Sequence, residues 1–203
     1  MAIKVNRICF SVMTGAAAML LSACNGLFSS VYDTPDADTG SEFGFVSAAT
    51  DNTPGKIYID ATDYERWTYI NFNDMSIDTL DVNDPEPKKW DIALHRYDAK
   101  TNGGSVMEEG ASEYVADVWT TNVIVTDMST MMDGYLSYTE SFYNPELSKW
   151  LDVDKSTMPP IYTLSGKRYF VNLGDGREVA LRLINFMNES GVKGFLTIEY
   201  QFM

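Results

Sequence analysis

Histidine occurs once in this chain of 203 residues and cysteine twice, while 15 Lys+Arg face 29 Asp+Glu. Each scarcity removes a class of chemistry. With His95 as the sole imidazole, a histidine-based metal cluster is excluded, and zinc would have only carboxylates left. Cys9 and Cys24 both fall near the N-terminus. Cys9 belongs to a segment read below as removed and Cys24 is read as carrying lipid, so the mature fold has neither a disulfide nor a thiolate metal site. Lys4 and Arg7 leave with the same segment, taking 15 cations to 13 against 29 carboxylates, a mature net charge of −16. A surface this acidic lacks the clustered cations that displace counterions from a phosphate backbone, which excludes nucleic acid as a partner. No motif sets a serine or cysteine nucleophile beside His95, and no carboxylate pair stands out for sugar hydrolysis. The chain is therefore read as a binding protein and not an enzyme, with His95 satisfied by hydrogen bonds inside a sheet.

The N-terminus has an export layout. Lys4 and Arg7 make a short basic start, an apolar run covers 8–21, and Leu21-Ser22-Ala23-Cys24 sets small residues against a cysteine. That order is the signature of a lipoprotein signal peptide, here 1–23, with Cys24 becoming the lipid-bearing first residue. The apolar run is shorter than the ~20 residues of a spanning helix. A secretory signal cut near Ala23 or a short anchor are the alternatives. Residues 24–53 are rich in Ser, Asp, Thr, Gly and Pro and read as a flexible tether, in which Asp33, Asp36 and Asp38 are solvated linker residues or an acidic sorting signal.

From residue 54 to 203 the pattern is β. Aromatic and β-branched content predicts strands over 56–60, 64–72, 75–80, 88–98, 114–119, 122–127, 135–139, 167–173, 178–186 and 193–202. Turn signals such as Asn102-Gly103-Gly104, Asp133-Gly134 and Asp175-Gly176 separate them. One short helix is expected over 144–151, with Asn144 as cap and Pro145 as its first residue. The fold class is a single, all-β, predominantly antiparallel domain, with Trp90, Ile92, Phe195 and Ile198 in its core. Asp81-Val82-Asn83-Asp84 offers oxygen ligands but lacks a calcium-loop spacing and reads as a turn.

Methionine is the residue type present in unexpected places. Met128, Met131 and Met132 fall in Asp127-Met128-Ser129-Thr130-Met131-Met132-Asp133-Gly134, and Met158 in Thr157-Met158-Pro159-Pro160. Beside turn-forming Asp, Gly and Pro, a flexible thioether is either filler beneath a loop or a donor offered to a soft metal.

Three stretches then carry a resemblance. The strand Trp90-Asp91-Ile92-Ala93-Leu94-His95-Arg96-Tyr97 followed by Lys100-Thr101-Asn102-Gly103-Gly104, the loop Met158-Pro159-Pro160-Ile161-Tyr162, and the run 191–201 are similar to the HmuY-type haem-binding lipoproteins of Bacteroidetes. The similarity covers roughly 56–203, in order. It implies a compact all-β core with protruding loops that grip one haem, iron protoporphyrin IX. It also implies a lipid-anchored place at the outer surface of the outer membrane, where haem taken from host haemoproteins is passed to a TonB-dependent receptor. The family's founding member grips iron with two histidines, which this chain cannot do. Other members place methionines in the gripping loops, and by position the resemblance implies Met132 or Met131 from the first loop, with Met128 as a third choice, and Met158 from the second. Met131 and Met132 are neighbours, so in extended backbone only one can face the iron; Met132 is preferred. The reading from another class is a surface lipoprotein that binds glycan or protein by stacking on Trp67, Trp90, Trp119 and Trp150.

Overall fold

The computed structural model describes residues 43–110, 119–125 and 141–203. The expected signal peptide, Cys24, most of the tether, and Met128, Met131 and Met132 lie outside the described residues, as does the strand expected over 135–139. In chain order the strands are β1 (Gly44–Ser47), β2 (Gly55–Asp60), β3 (Arg66–Asn71), β4 (Ser76–Asp81), β5 (Ile92–His95), β6 (Asp98–Thr101), β7 (Ser105–Glu108), β8 (Val123–Val125), β9 (Ser141–Tyr143), β10 (Leu151–Asp154), β11 (Ile161–Leu164), β12 (Tyr169–Asn172), β13 (Glu178–Met187) and β14 (Lys193–Phe202). They form a six-stranded sheet in the order β1-β2-β14-β13-β12-β7, a four-stranded sheet in the order β4-β3-β5-β6, and two separate hairpins, β8-β9 and β10-β11. Every ladder among the described residues is antiparallel, as the alternating sequence pattern requires.

The two larger sheets share one core. Ile57 and Ile59 of β2, Leu181 and Leu183 of β13, and Leu196 and Ile198 of β14 join Ile70 of β3 and Ile92 and Leu94 of β5 in a single buried cluster. The period of two explains the assignment, since the intervening residues turn away; on the opposite face of β13 and β14, Arg182 pairs with Glu199. The far face of the four-stranded sheet carries a second cluster of Trp67, Tyr69, Trp90 and Ala93. Lys100 lies over it, with its ammonium 4.1 Å from the centroid of the Trp67 ring and 2.7 Å from the Glu86 carboxylate. The aromatic faces and the carboxylate together compensate for burying that charge.

No expected strand covers β7, β9, β10 or β11, Phe195 is half-buried and outside the core cluster, and three further local expectations change. The long strand expected over 88–98 becomes two, because Arg96 and Tyr97 form a tight turn and His95 pairs with Asp98. Arg96 has φ 55, a conformation that costs an L-residue roughly 1–2 kcal/mol. Its guanidinium offsets this by donating to the carbonyls of Ala61 (3.1 Å) and Thr62 (2.8 Å) and lying 4.3 Å from the Tyr64 ring centroid. Gly194 leaves room for that arm, since a Cβ there would stand 2.7 Å from Arg96 Nη1. The turn also breaks the period of two along this stretch, so that Tyr97 joins the main core while Ala93 belongs to the second cluster.

The expected helix over 144–151 is a single 3-10 turn, Leu147–Trp150. Asn144 does cap it, its Oδ1 accepting from the amides of Glu146 and Leu147. Leu151 is already extended and pairs with Leu164, so strand pairing takes over after one turn. Finally, residues 44–53, read from composition as the end of the tether, carry the edge strand β1 and a Thr50–Thr53 bridge, because Phe45 packs edge-on against Phe72 and Tyr200.

Candidate functional site

The two hairpins have ladders of their own beside the larger sheets, and both are rooted in the same few residues. At the foot of β8, the Asn122 side chain accepts from the Thr101 amide (3.0 Å) and donates to the Thr101 carbonyl (2.6 Å), copying a strand partner for β6. Beyond β9, the Asn144 amide donates to the Ala99 carbonyl (2.6 Å), while its side chain donates to the Thr120 carbonyl (3.0 Å) and caps the 3-10 turn. Asn144 thus ties the entry of the first hairpin to the entry of the second. The second hairpin is held by Trp150, fully buried, whose indole N–H donates to the Tyr97 carbonyl (2.8 Å). Tyr162 of β11 packs against Tyr97, with ring centroids 5.3 Å apart.

Each hairpin shows apolar surface to solvent. In the first, Ile124 and Phe142 are cross-strand partners, 57% and 52% exposed. In the second, Val153 pairs with Tyr162 and Leu151 with Leu164 on one apolar face; Leu151 is buried and Tyr162 and Leu164 pack against the main core, so that Val153 is the exposed part of it, while Asp152 and Thr163 lie on the other face. Met158 sits in the connection between β10 and β11 and is 90% exposed, more than any other large apolar side chain among the described residues. Its loop is braced from within. The Ser156 amide donates to Asp154 Oδ1 (2.8 Å), and the Thr157 hydroxyl donates to the Pro159 carbonyl (3.0 Å). Hydrogen bonding from the Ser156 hydroxyl, and then from its amide, holds the Asp154 carboxyl below the ordinary carboxylate range. By contrast Met187, in β13, is buried core. The arrangement can offer a neutral soft sulfur at the end of an apolar ribbon, which suits a soft metal carried in an apolar ligand.

The structure separates the other sequence candidates from this site. Trp67, Trp90 and Trp150 are buried and belong to the two cores, which removes them as stacking platforms; Trp119 alone of the four keeps substantial exposure. Large rings went inside because each covers more apolar area than any other side chain available to these small sheets. Asp81 and Asp84 form a plain turn, with the Asp84 amide donating to the Asp81 carbonyl at 3.0 Å. Among the described residues no group of three His, Cys, Asp or Glu side chains could hold a metal ion. The exposed Ile124, Phe142 and Val153 were not singled out from sequence: Ile124 falls in the strand expected over 122–127, and no strand is expected at β9 or β10, which hold Phe142 and Val153. A cavity of about 180 Å³ between the first hairpin and the Trp67–Tyr69–Lys100 cluster falls below the ~300–1,000 Å³ of ligand pockets.

His95 is fully buried, and its Nε2–H donates to the Tyr64 carbonyl at 2.6 Å, while Nδ1 has no partner among the described residues. Burial pushes its pKa below 6.5; the Tyr64 hydrogen bond and Asp63 oppose this, and Arg96 and Lys100 reinforce it. The unfolded chain therefore binds this proton more readily than the folded one, and His95 contributes stability that is lost as pH falls below about 6.5. Thermal melts of the parent should lose midpoint between pH 7 and 5.5 more steeply than those of His95→Gln. Identical slopes would assign the acid sensitivity to other groups.

Comparison with known proteins places this architecture. The family model for HmuY protein matches residues 63–200. A crystal structure from Bacteroides vulgatus, bearing the name HmuY-like heme binding protein, is 50% identical, with a TM-score of 0.68 over 78% of this chain and 97% of that one. One from Bacteroides fragilis that bears the name lipoprotein is 40% identical, with a TM-score of 0.68 over 80% and 96%. The Tannerella forsythia apo HmuY analog shares the fold at 21% identity, with a TM-score of 0.62 over 77% and 99%. No curated protein matches.

Proposed function

Since the chain belongs to the HmuY protein family, we propose that it is a haem-binding surface lipoprotein, a haemophore that grips haem iron with methionine and hands the haem to an outer-membrane receptor. Met158 carries the reading: a thioether 90% exposed on a braced loop at the end of an apolar ribbon is poor packing but a good ligand. Met132 supplies the second sulfur, with Met131 and Met128 as the other donors on the same segment. Haem is the cargo. It needs an apolar slot for the porphyrin and soft or nitrogen donors for the iron, and Ile124, Phe142 and Val153 provide exposed apolar surface on the two hairpins. No reaction is involved; the protein binds and releases. A visible spectrum of the full chain mixed with haemin, recorded oxidised and then reduced, tests this. Ligand-bound bands that sharpen on reduction are expected, and a spectrum equal to free haemin would remove the reading.

Two features support the surface placement. The sequence order Leu21-Ser22-Ala23-Cys24 fits lipidation at Cys24, and the Bacteroides fragilis relative bears the name lipoprotein. Cys24→Ala is expected to move the protein from the membrane to the soluble fraction. Retention of the variant on membranes after a high-salt wash would place the anchor elsewhere. A TonB-dependent haem receptor and host haemoproteins are the partners on either side of the transfer. Binding of glycan or protein, the alternative class, loses support with the burial of Trp67, Trp90 and Trp150.

A further inference from the structure

The core between the two larger sheets is not filled to its end. On the face of β3 and β4 that looks toward the six-stranded sheet, three cross-strand pairs follow one another: Ile70 with Ile77, Thr68 with Thr79, and Arg66 with Asp81. Ile70 belongs to the main core together with Ile57 and Ile59 of β2. One pair further along, hydroxyls replace the hydrocarbon, and at the next pair charge replaces the hydroxyls. A cleft of about 400 Å³ opens there between the edge strands β1 and β4. That volume lies within the ~300–1,000 Å³ of ligand pockets.

We propose that this cleft binds a neutral sugar unit of a glycan. Thr68 carries the assignment. It is 2% exposed and lines the cleft, yet its hydroxyl has no hydrogen-bond partner among the described residues. A buried hydroxyl left unpaired is costly, and one that borders a cleft is a donor and acceptor held ready for a ligand. Thr79 sets a second hydroxyl beside it. At the rim, Asp60 Oδ1 accepts from the Thr62 amide (3.0 Å) and hydroxyl (2.7 Å), which leaves Oδ2 as a free acceptor among the described residues. Arg66 Nε lies 3.4 Å from Asp63 Oδ2, and its terminal amino groups have no carboxylate partner among the described residues. Donors and acceptors thus surround a space that also touches Ile59 and Phe43. The Phe43 ring stacks on Tyr58 with centroids 5.0 Å apart and stays 56% exposed, so aromatic surface stands beside the polar groups. A pyranose matches that combination: its hydroxyls meet the polar groups, and its C–H bonds meet the electron-rich face of a ring. Charge then selects among sugars. Asp60 and Asp63 at the rim of a chain with formal net charge −14 repel an acidic one, and the Arg66 charge is already matched by Asp63. None of the four tryptophans takes part, and the site is independent of the haem reading.

Ligand-observed saturation-transfer NMR on the full chain tests this, with the methyl glycosides of glucose, galactose, mannose and N-acetylglucosamine as neutral probes and methyl glucuronide as the charged counterpart. At least one neutral glycoside should show saturable transfer at millimolar concentration, and the glucuronide should bind more weakly than it by about threefold or more. Thr68→Val keeps the branched shape and removes the hydroxyl. This change and Thr79→Val should each weaken the neutral glycoside by about threefold to tenfold, the loss of one neutral hydrogen bond. Thr79 is exposed, so its variant carries the test even if Thr68→Val fails to fold. Thr163→Val, at an exposed site on the second hairpin, should change nothing. Absence of transfer from every neutral probe overturns the assignment, as does parent-like affinity in the threonine variants that fold. An equal loss in Thr163→Val would place the sugar elsewhere and overturns it too. A glucuronide that binds as tightly as the neutral glycoside overturns the neutral class.

Discussion

Met158→Ala is expected to weaken ferrous haem binding by roughly tenfold to a hundredfold, about 1.4–2.7 kcal/mol, and to remove one axial ligand from the reduced spectrum. The reasoning begins with the donor. A thioether is neutral and soft and, as an axial ligand, raises the reduction potential of the iron, so affinity should be higher for the reduced complex. It also has no proton to gain near neutrality. Haem affinity should therefore stay nearly flat from about pH 5 to 7.5, a range in which an ordinary imidazole ligand would be lost by protonation. The loop keeps its shape in the variant, because its bracing bonds run through Ser156, Thr157 and Pro159 and none uses the Met158 side chain. The double change at Met131 and Met132 is the companion test, since either neighbour could replace the other by a small shift. Met203→Ala, at an exposed site on the C-terminal residue, is the control that should change nothing. Unaltered spectra and affinities for both Met158→Ala and the double variant would end the bis-methionine model.

Trp150→Ala is expected to cost roughly 3–5 kcal/mol of folding stability, the range for a large aromatic ring deleted from a packed core. Trp150 is fully buried and sits at the junction of the 3-10 turn and β10. Its loss would leave a cavity in the main core and strip the Tyr97 carbonyl of its indole donor. Against the ~5–15 kcal/mol of a whole domain, this is a large share. The second hairpin should suffer first, because the same residue anchors its foot. Chemical denaturation of Trp150→Ala should show a midpoint well below the parent's, and amide exchange along β10 and β11 should accelerate more than along β13 and β14. A parent-like midpoint would mean that the pocket collapses around the missing ring.

Much of the fold was legible because its signals are local. Alternation in β13 and β14, with Val179, Leu181, Leu183 and Leu196, Ile198, Tyr200 facing inward, can be read from the letters alone. What escaped depends on distant partners. The turn at Arg96 has no glycine to announce it; it exists because the carbonyls of Ala61 and Thr62 receive the guanidinium. The helix over 144–151 fails for a similar reason, since a correct cap at Asn144 is outweighed by the pairing of β10 with β11. In the candidate site the methionine loop was conspicuous by its chemistry, whereas the exposure of Ile124 and Phe142 depends on how a separate hairpin is set beside the four-stranded sheet, which no window of sequence reports.

The way the chain enters the fold has a mechanical consequence. β1 lies at the edge of the six-stranded sheet, joined only to β2, with an irregularity between Phe45 and Ser47. It is fastened chiefly by Phe45 against Phe72 and by the Tyr200 hydroxyl, which accepts from the Ala49 amide and donates to the Ser47 carbonyl. A pull transmitted along the N-terminal chain therefore loads this short clasp before it reaches β2, which is flanked on both sides. Peeling 44–54 from the sheet would free a segment with a contour of about 35 Å. With the chain anchored on its N-terminal side, as proposed above, this clasp would be the first part of the fold to bear the load.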